Sequence, residues 1–176
     1  MLLKKIPAII DPLNTWVASM SKWLILILAL LNFYEVFMRY VFNNPSMWVY
    51  DISYMIGGTF FSLGMSYTLL KKKHVRVDIF YIKLKERTQA LLDMILTLIV
   101  FFPTFGLLLT KLIPWVITSW ERNEKASGSY WLPPIYPLKT ILVIAVFLLI
   151  LQVISEFIKD LSKFLNKNDN EEEAAE

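Results

Sequence analysis

Four apolar runs, each about as long as a bilayer is thick, constrain this chain more than any other feature. They cover about 23–42, 48–70, 89–115 and 137–158. A hydrocarbon core roughly 30 Å thick takes about 20 helical residues per crossing. Inside it every backbone N–H and C=O needs a partner from the chain itself, and a helix supplies those partners within one segment. The expected fold class is therefore an all-α integral membrane protein with four transmembrane helices. Of 176 residues 56% are hydrophobic, so four spans leave little chain for a soluble domain.

The punctuation between the runs fits this reading. Asn43-Asn44-Pro45 ends the first run with turn residues and a proline. Pro103 interrupts the third, removing a backbone donor and predicting a kink. The third pattern continues through Ile117 and Trp120, which predicts a long helix that tilts or projects beyond the bilayer. Ahead of the first run, Lys4 and Lys5 are followed by Pro7 and Pro12, which break up the apolar core a signal peptide needs. Residues 1–20 read instead as an N-terminal interfacial helix, with Asp11 as N-cap, Pro12 as first helical residue, and Leu13, Trp16, Val17 and Met20 on one face. The transmembrane domain is expected over 21–165. An acidic, disordered tail is expected over 166–176, where Asp169, Glu171, Glu172, Glu173 and Glu176 are too polar to bury.

Charge sets the orientation. Lys4, Lys5, Lys22, the loop set Lys71, Lys72, Lys73, Arg76, Lys83, Lys85 and Arg87, and the tail set Lys159, Lys163 and Lys167 all fall on one side of a four-span topology. Only Arg39, Lys111, Arg122, Lys125 and Lys139 fall on the other, 13 basic residues against 5. The positive-inside bias then predicts both termini in the cytoplasm. The same clustering beside apolar runs explains the formal charge of +3 without nucleic acid.

Several function classes lose support at this point. With no cysteine there is no disulfide, thiolate metal site or cysteine nucleophile. The single histidine, His74, lies after the second run among lysines, so a haem cannot be held between two histidines of this chain. No phosphate-binding glycine loop, metal-binding helix or nucleophile constellation is present, which leaves an enzyme without residues, and no cofactor is expected. No internal repeat marks a self-contained transporter of inverted halves.

The polar residues inside the runs are the candidates for function. Asn32, Glu35 and Arg39 share a stripe of the first run, and Glu35 and Arg39 are four residues apart, the spacing at which helical side chains meet. An intramembrane carboxylate is costly, so the pair reads either as an ion relay or, preferably, as a neutralised pair locking this helix to a neighbour, since no second buried acid continues a relay. The second run carries small residues: Gly58, Ser62 and Ser66 at intervals of four, with Ser53, Gly57 and Gly64 nearby. Small residues allow helices to approach closely in lipid, within the bundle or against another subunit. Between the third and fourth runs, Ser127-Gly128-Ser129 is followed by Tyr130, Trp131, Pro133, Pro134, Tyr136 and Pro137, aromatics suited to headgroups and prolines that stiffen the re-entry.

From Arg39 to Asp78 the chain resembles the DctQ-type small permease subunit of tripartite ATP-independent periplasmic (TRAP) transporters. The residues that carry this are Arg39-Tyr40-Val41-Phe42, Pro45, Trp48, Asp51, Gly64, the lysines at Lys71 to Lys73, and His74-Val75-Arg76-Val77-Asp78. Tyr50 departs from the family, which often has the first of two acids there, so that pair rests on Asp51 alone. The resemblance implies a non-catalytic subunit. Its partners would be a large DctM-type membrane subunit, a periplasmic substrate-binding protein and membrane lipid. The work would be secondary, sodium-coupled uptake of an organic acid such as a C4-dicarboxylate, sialic acid or another sugar acid across the bacterial inner membrane. It implies structural or subunit-contact roles for Arg39, Trp48, Asp51, His74 and Asp78, beside Glu35, Gly57, Gly58, Ser62 and Gly64 from the packing argument. The alternatives are a membrane anchor for a redox or other enzyme complex and a small autonomous channel lined by Glu35 and the glycine-rich second run.

Overall fold

The computed structural model describes residues 2–71 and 86–173. Its helices are α1 (Leu2–Tyr40), α2 (Val49–Leu70), α3 (Glu86–Leu96), α4 (Phe102–Glu121) and α5 (Tyr136–Glu173), with a π-helical turn (Thr97–Phe101) joining α3 to α4. The described residues contain no strand, and the protein is an all-α membrane protein. Three stretches are both long and apolar enough to cross a bilayer: Lys5–Tyr40, Leu91–Glu121 and Tyr136–Ser162. The fourth expected span, α2, has 22 residues, about 33 Å of helix, but its glycines, hydroxyls and tyrosines dilute its apolar character. Two of those hydroxyls turn back onto the helix itself, Ser62 donating to Gly58 O at 2.7 Å and Thr68 to Gly64 O at 2.9 Å.

Two boundaries differ from expectation. The N-terminal segment is not a separate helix, because α1 runs 39 residues without a break, and Asp11 lies inside it instead of capping it. Pro7 and Pro12 each remove a donor near the start of the helix, but Ile10, Asn14 and Ser21 are buried, and this packing carries the helix past both prolines. At the other end α5 continues through Glu173, where disorder was expected from Asn166. No proline or glycine follows Pro137 to stop it.

The third run is the long helix anticipated, Glu86 to Glu121, and the irregularity predicted near Pro103 is a widened turn. Phe102 N–H donates to Thr97 O, five residues back. Proline lacks an N–H and its ring crowds the carbonyl four residues before it, so one extra residue per turn here relieves the clash.

α5 is the axis of the bundle and packs against α1, α2, α3 and α4. Its Ala145, Val146, Leu148, Leu149, Val153 and Ile158 form most of the buried apolar core. In the most apolar window of α5, 39% of residues are buried, against 6% for α1 and none for the α3–α4 helix. The greasy outer faces of those helices therefore meet lipid or a partner and contribute nothing to a water-free interior of this chain.

Candidate functional site

Two clusters of described polar side chains lie toward the two ends of the bundle, and at each end they join helices far apart in sequence. One end is marked by Tyr40, Trp48, Trp120, Trp131 and Tyr136, an aromatic belt of the kind found at headgroup level. The opposite end holds Asp11, Gln152, Ser155 and Lys159.

That opposite end is a clasp between α1 and α5. Asn14 Nδ2 donates to Gln152 Oε1 at 2.7 Å, and Gln152 Nε2 donates to Asp11 Oδ1 at 3.0 Å. Ser155 Oγ donates to the same Asp11 oxygen at 2.7 Å, and Lys159 Nζ sits 2.6 Å from both Asp11 Oδ2 and Glu156 Oε1. An ionised carboxylate only accepts, so Asp11 fixes which way the Gln152 amide points, and Gln152 in turn fixes Asn14. Asn14, Gln152 and Ser155 are each 0% exposed. None of the three was singled out from sequence. Asp11 and Asn14 are three residues apart, as are Gln152 and Ser155, and two such polar pairs within apolar helices were the available signal.

At the aromatic end the pair predicted from spacing is present. Arg39 Nη2 lies 2.7 Å from Glu35 Oε1, with Nε at 3.2 Å. Glu35 does more than neutralise Arg39: its other oxygen accepts the backbone N–H of Ser46 at 3.0 Å. The carboxylate thus ties the end of α1 to the turn that leads into α2. Asn43 takes a left-handed conformation in that turn, with φ of 50°, which asparagine tolerates better than most residues. Trp48 follows and packs on Tyr34 with ring centroids 5.9 Å apart, so it too braces α1 against the start of α2.

Asp51, in the first turn of α2 and buried, accepts a hydrogen bond from Ser129 Oγ, and Ser129 Oγ accepts from Trp131 N at 3.0 Å. A carboxylate there also suits the positive end of the helix dipole. The α4–α5 loop is held at its base as well, by Ala126 N to Pro133 O at 2.9 Å and Ile135 N to Glu124 O at 3.0 Å. Lys139 Nζ reaches Glu124 Oε2 at 2.5 Å and lies 4.0 Å from the centre of the Trp115 ring. The neighbouring Lys139 ammonium holds the Glu124 carboxyl below its ordinary range. Leu132, at φ 50°, is strained for a branched residue, and it sits at a tip that presents Tyr130 at 93% exposure beside Trp131. The partners Ser129, Glu124 and Lys139 were not anticipated.

The small residues of α2 divide between two faces. A Cβ on Gly58 would meet Leu138 of α5 at 3.5 Å, and Ser66 is buried, so this stripe packs within the bundle. Gly57 and Gly64 face open space, with nothing within 4 Å of a Cβ at either. Phe61, between them, is exposed. Asp93, Glu156 and Asp160 all line a cleft of about 430 Å³ between α2, α3 and α5, whose walls include Met65, Leu69, Phe101 and Phe157. His74 and Asp78 lie outside the described residues.

A family model for the DctQ component of tripartite ATP-independent periplasmic transporters matches residues 15–163. The chain belongs to the DctQ family. It is a component of a transporter and not an enzyme, and it is a multi-pass protein of the inner membrane. No curated protein matches it significantly. Membership in the DctQ family implies two partners, a large DctM-type membrane subunit and a substrate-binding protein. The match covers α1 from Thr15 onward and nearly all of α5 that lies in the bundle. It therefore includes the aromatic-end contacts, but takes in the clasp only through Gln152, Ser155, Glu156 and Lys159, since Asp11 and Asn14 precede it.

Proposed function

We propose that this chain is the bracing subunit of a TRAP permease, with both termini in the cytoplasm and its aromatic end in the periplasm. In this role it stiffens the large membrane subunit while that subunit moves an organic acid, such as a C4-dicarboxylate, sialic acid or another sugar acid, inward on a sodium gradient. The observation that carries the reading is the DctQ match over residues 15–163. The pattern of polar contacts supports it: the described clusters tie helix to helix at the two ends of the bundle, as a brace requires. The excess of 13 basic residues over 5 supports the orientation, and α2 serves as the fourth crossing.

The α4–α5 loop is the surface we assign to the substrate-binding protein. It is pinned through Asp51, Glu124 and Lys139, and it offers Tyr130, Trp131 and Leu132 outward. Exposed aromatics on a preorganised backbone lose little entropy on binding, which suits a contact that forms and releases in each transport cycle.

The test is co-purification. A tagged chain expressed with its chromosomal neighbours and extracted in mild detergent should bring down a large multi-span protein, and the reconstituted pair should take up solute only with the binding protein present. Recovery of the chain alone, conducting ions or solute by itself in proteoliposomes, would refute the bracing role in favour of an autonomous channel.

A further inference from the structure

Asn32 is a carboxamide on the outside of a transmembrane helix. It lies eight residues before the end of α1, about 12 Å along the axis from Tyr40, and its side chain is exposed. Its Nδ2 donates to Leu28 O at 2.7 Å. A carboxamide has two N–H donors and an oxygen that accepts twice, so this one bond leaves most of its capacity unused. The exposed hydroxyls of Thr15 and Thr110 donate to Asp11 O at 2.8 Å and Leu107 O at 2.7 Å and are satisfied by their own helix, but an amide cannot be. In hydrocarbon an unpaired amide is costly, and the usual remedy is a side chain from a neighbouring helix.

A second observation lies on the same face. Arg39, seven residues on and two turns nearer the aromatic end, has a side chain 56% exposed. Two of its five N–H donors go to Glu35, leaving three directed away from that contact. Between the two polar groups the face holds Val36, and below Asn32 it holds Ala29 and Ile25, all exposed. Ala29 lets a second helix come close where Asn32 needs it.

We propose that the α1 face of Ala29, Asn32, Val36 and Arg39 is the seat of a transmembrane helix of the large partner subunit, whose polar side chain completes the hydrogen bonding of Asn32. This rests on the bracing-subunit reading above and adds which face of the chain does the bracing. The chemistry specifies the incoming helix. It carries an Asn, Gln, Ser or Thr level with Asn32, and an acceptor, carboxylate or exposed carbonyl, about 10 Å nearer the aromatic end to meet Arg39. A second copy of this chain fits poorly. A two-fold axis along the membrane normal would set Arg39 beside its own counterpart, guanidinium facing guanidinium, with each Glu35 carboxylate already engaged by its own Arg39 and Ser46 N–H.

The test uses the full chain with its co-expressed large subunit. A photoreactive benzoylphenylalanine is placed at position 29 or 36, with controls at 61 on α2 and 99 on the π-helical turn, both exposed apolar positions. Positions 29 and 36 are expected to cross-link to the large subunit, and position 99 to lipid. Asn32→Leu is expected to weaken association about three- to twenty-fold, the range one interhelical hydrogen bond commands in a membrane. The isolated variant should be as stable as the parent, since it only removes a polar group from the outer surface. If the parent recovers a large subunit but positions 29 and 36 cross-link only to lipid or to a second copy, or Asn32→Leu associates as well as the parent, this face is not the seat and the bracing role stands. If the parent recovers no large subunit, the bracing role fails and the assignment of this face fails with it.

Discussion

Replacing Gln152 by leucine should loosen the clasp between α1 and α5 more than any other single change in the membrane-spanning part of the chain. The leucine is close in size, so the cost is electrostatic and not a cavity. It removes the bonds to Asn14 at 2.7 Å and to Asp11 at 3.0 Å. Interhelical hydrogen bonds in membranes are worth about 0.6 kcal/mol on average and up to about 1.7, so two of them contribute roughly 1–3 kcal/mol. Asn14, 0% exposed, then keeps its whole carboxamide without a partner, and its Oδ1 already has none among the described residues. A stranded buried amide adds about 1–3 kcal/mol. The expected total is about 2–6 kcal/mol, read as a shift in the unfolding midpoint during denaturing-detergent titration of the purified chain. Because both partners of a hydrogen bond can be replaced by apolar groups at little net cost, Asn14→Leu with Gln152→Leu should recover part of the loss. A double variant that shows the plain sum of the two single losses would refute the coupling, and with it the claim that this clasp holds α1 together past its prolines.

Three further outcomes follow from the aromatic end. Arg39→Ala should strand Glu35, free the turn that Ser46 anchors, and lower the yield of assembled complex while leaving apparent substrate affinity unchanged; an altered affinity at normal yield would contradict a structural role. Asp51→Ala releases Ser129 and should weaken the functional interaction with the binding protein, seen as a higher binding-protein concentration for half-maximal uptake at unchanged complex yield. Glu124 has its folded pKa depressed by Lys139, so its contribution is present above the ordinary carboxylate range and is lost as pH falls through the folded value. Protection against hydrogen exchange across residues 122–135, taken relative to the intrinsic exchange rate at each pH, should therefore fall on acidification below about pH 4.5, and Glu124→Gln should show that lower protection already at neutral pH.

The parts of this fold that were legible in the sequence were those encoded locally. The long helices followed from run length, the Glu35–Arg39 pair from its four-residue spacing, and the disturbance before Pro103 from the missing donor. Much of what escaped was set by contacts between residues far apart in sequence, 78 positions for Asp51 and Ser129 and 138 for Asn14 and Gln152. Pro7 and Pro12 signal a break when read locally, and the burial of Ile10, Asn14 and Ser21, with Asn14 bonded to Gln152 138 positions away, overrides them. The same distance hid the clasp itself, since Asp11 reads as a cap until Ser155 and Lys159 arrive beside it. Asp51 stood out through a motif, but nothing near it in sequence points to Ser129.

The π-helical turn at Thr97–Phe101 also sets the phase of everything after it. One residue corresponds to about 100° of rotation in an α-helix, so the extra residue turns the whole of α4 about its axis relative to α3. The face that brings Trp115, Ser119 and Trp120 to α5 is aligned only with that offset in place. A one-residue deletion at 98–100 would leave the helix intact and nearly as long, yet would swing those three side chains toward the acyl chains and leave Thr140 without the indole that now donates to it. The spacing between the two halves of this helix is thus a dial for α4, and length variation there is far less tolerable than substitution.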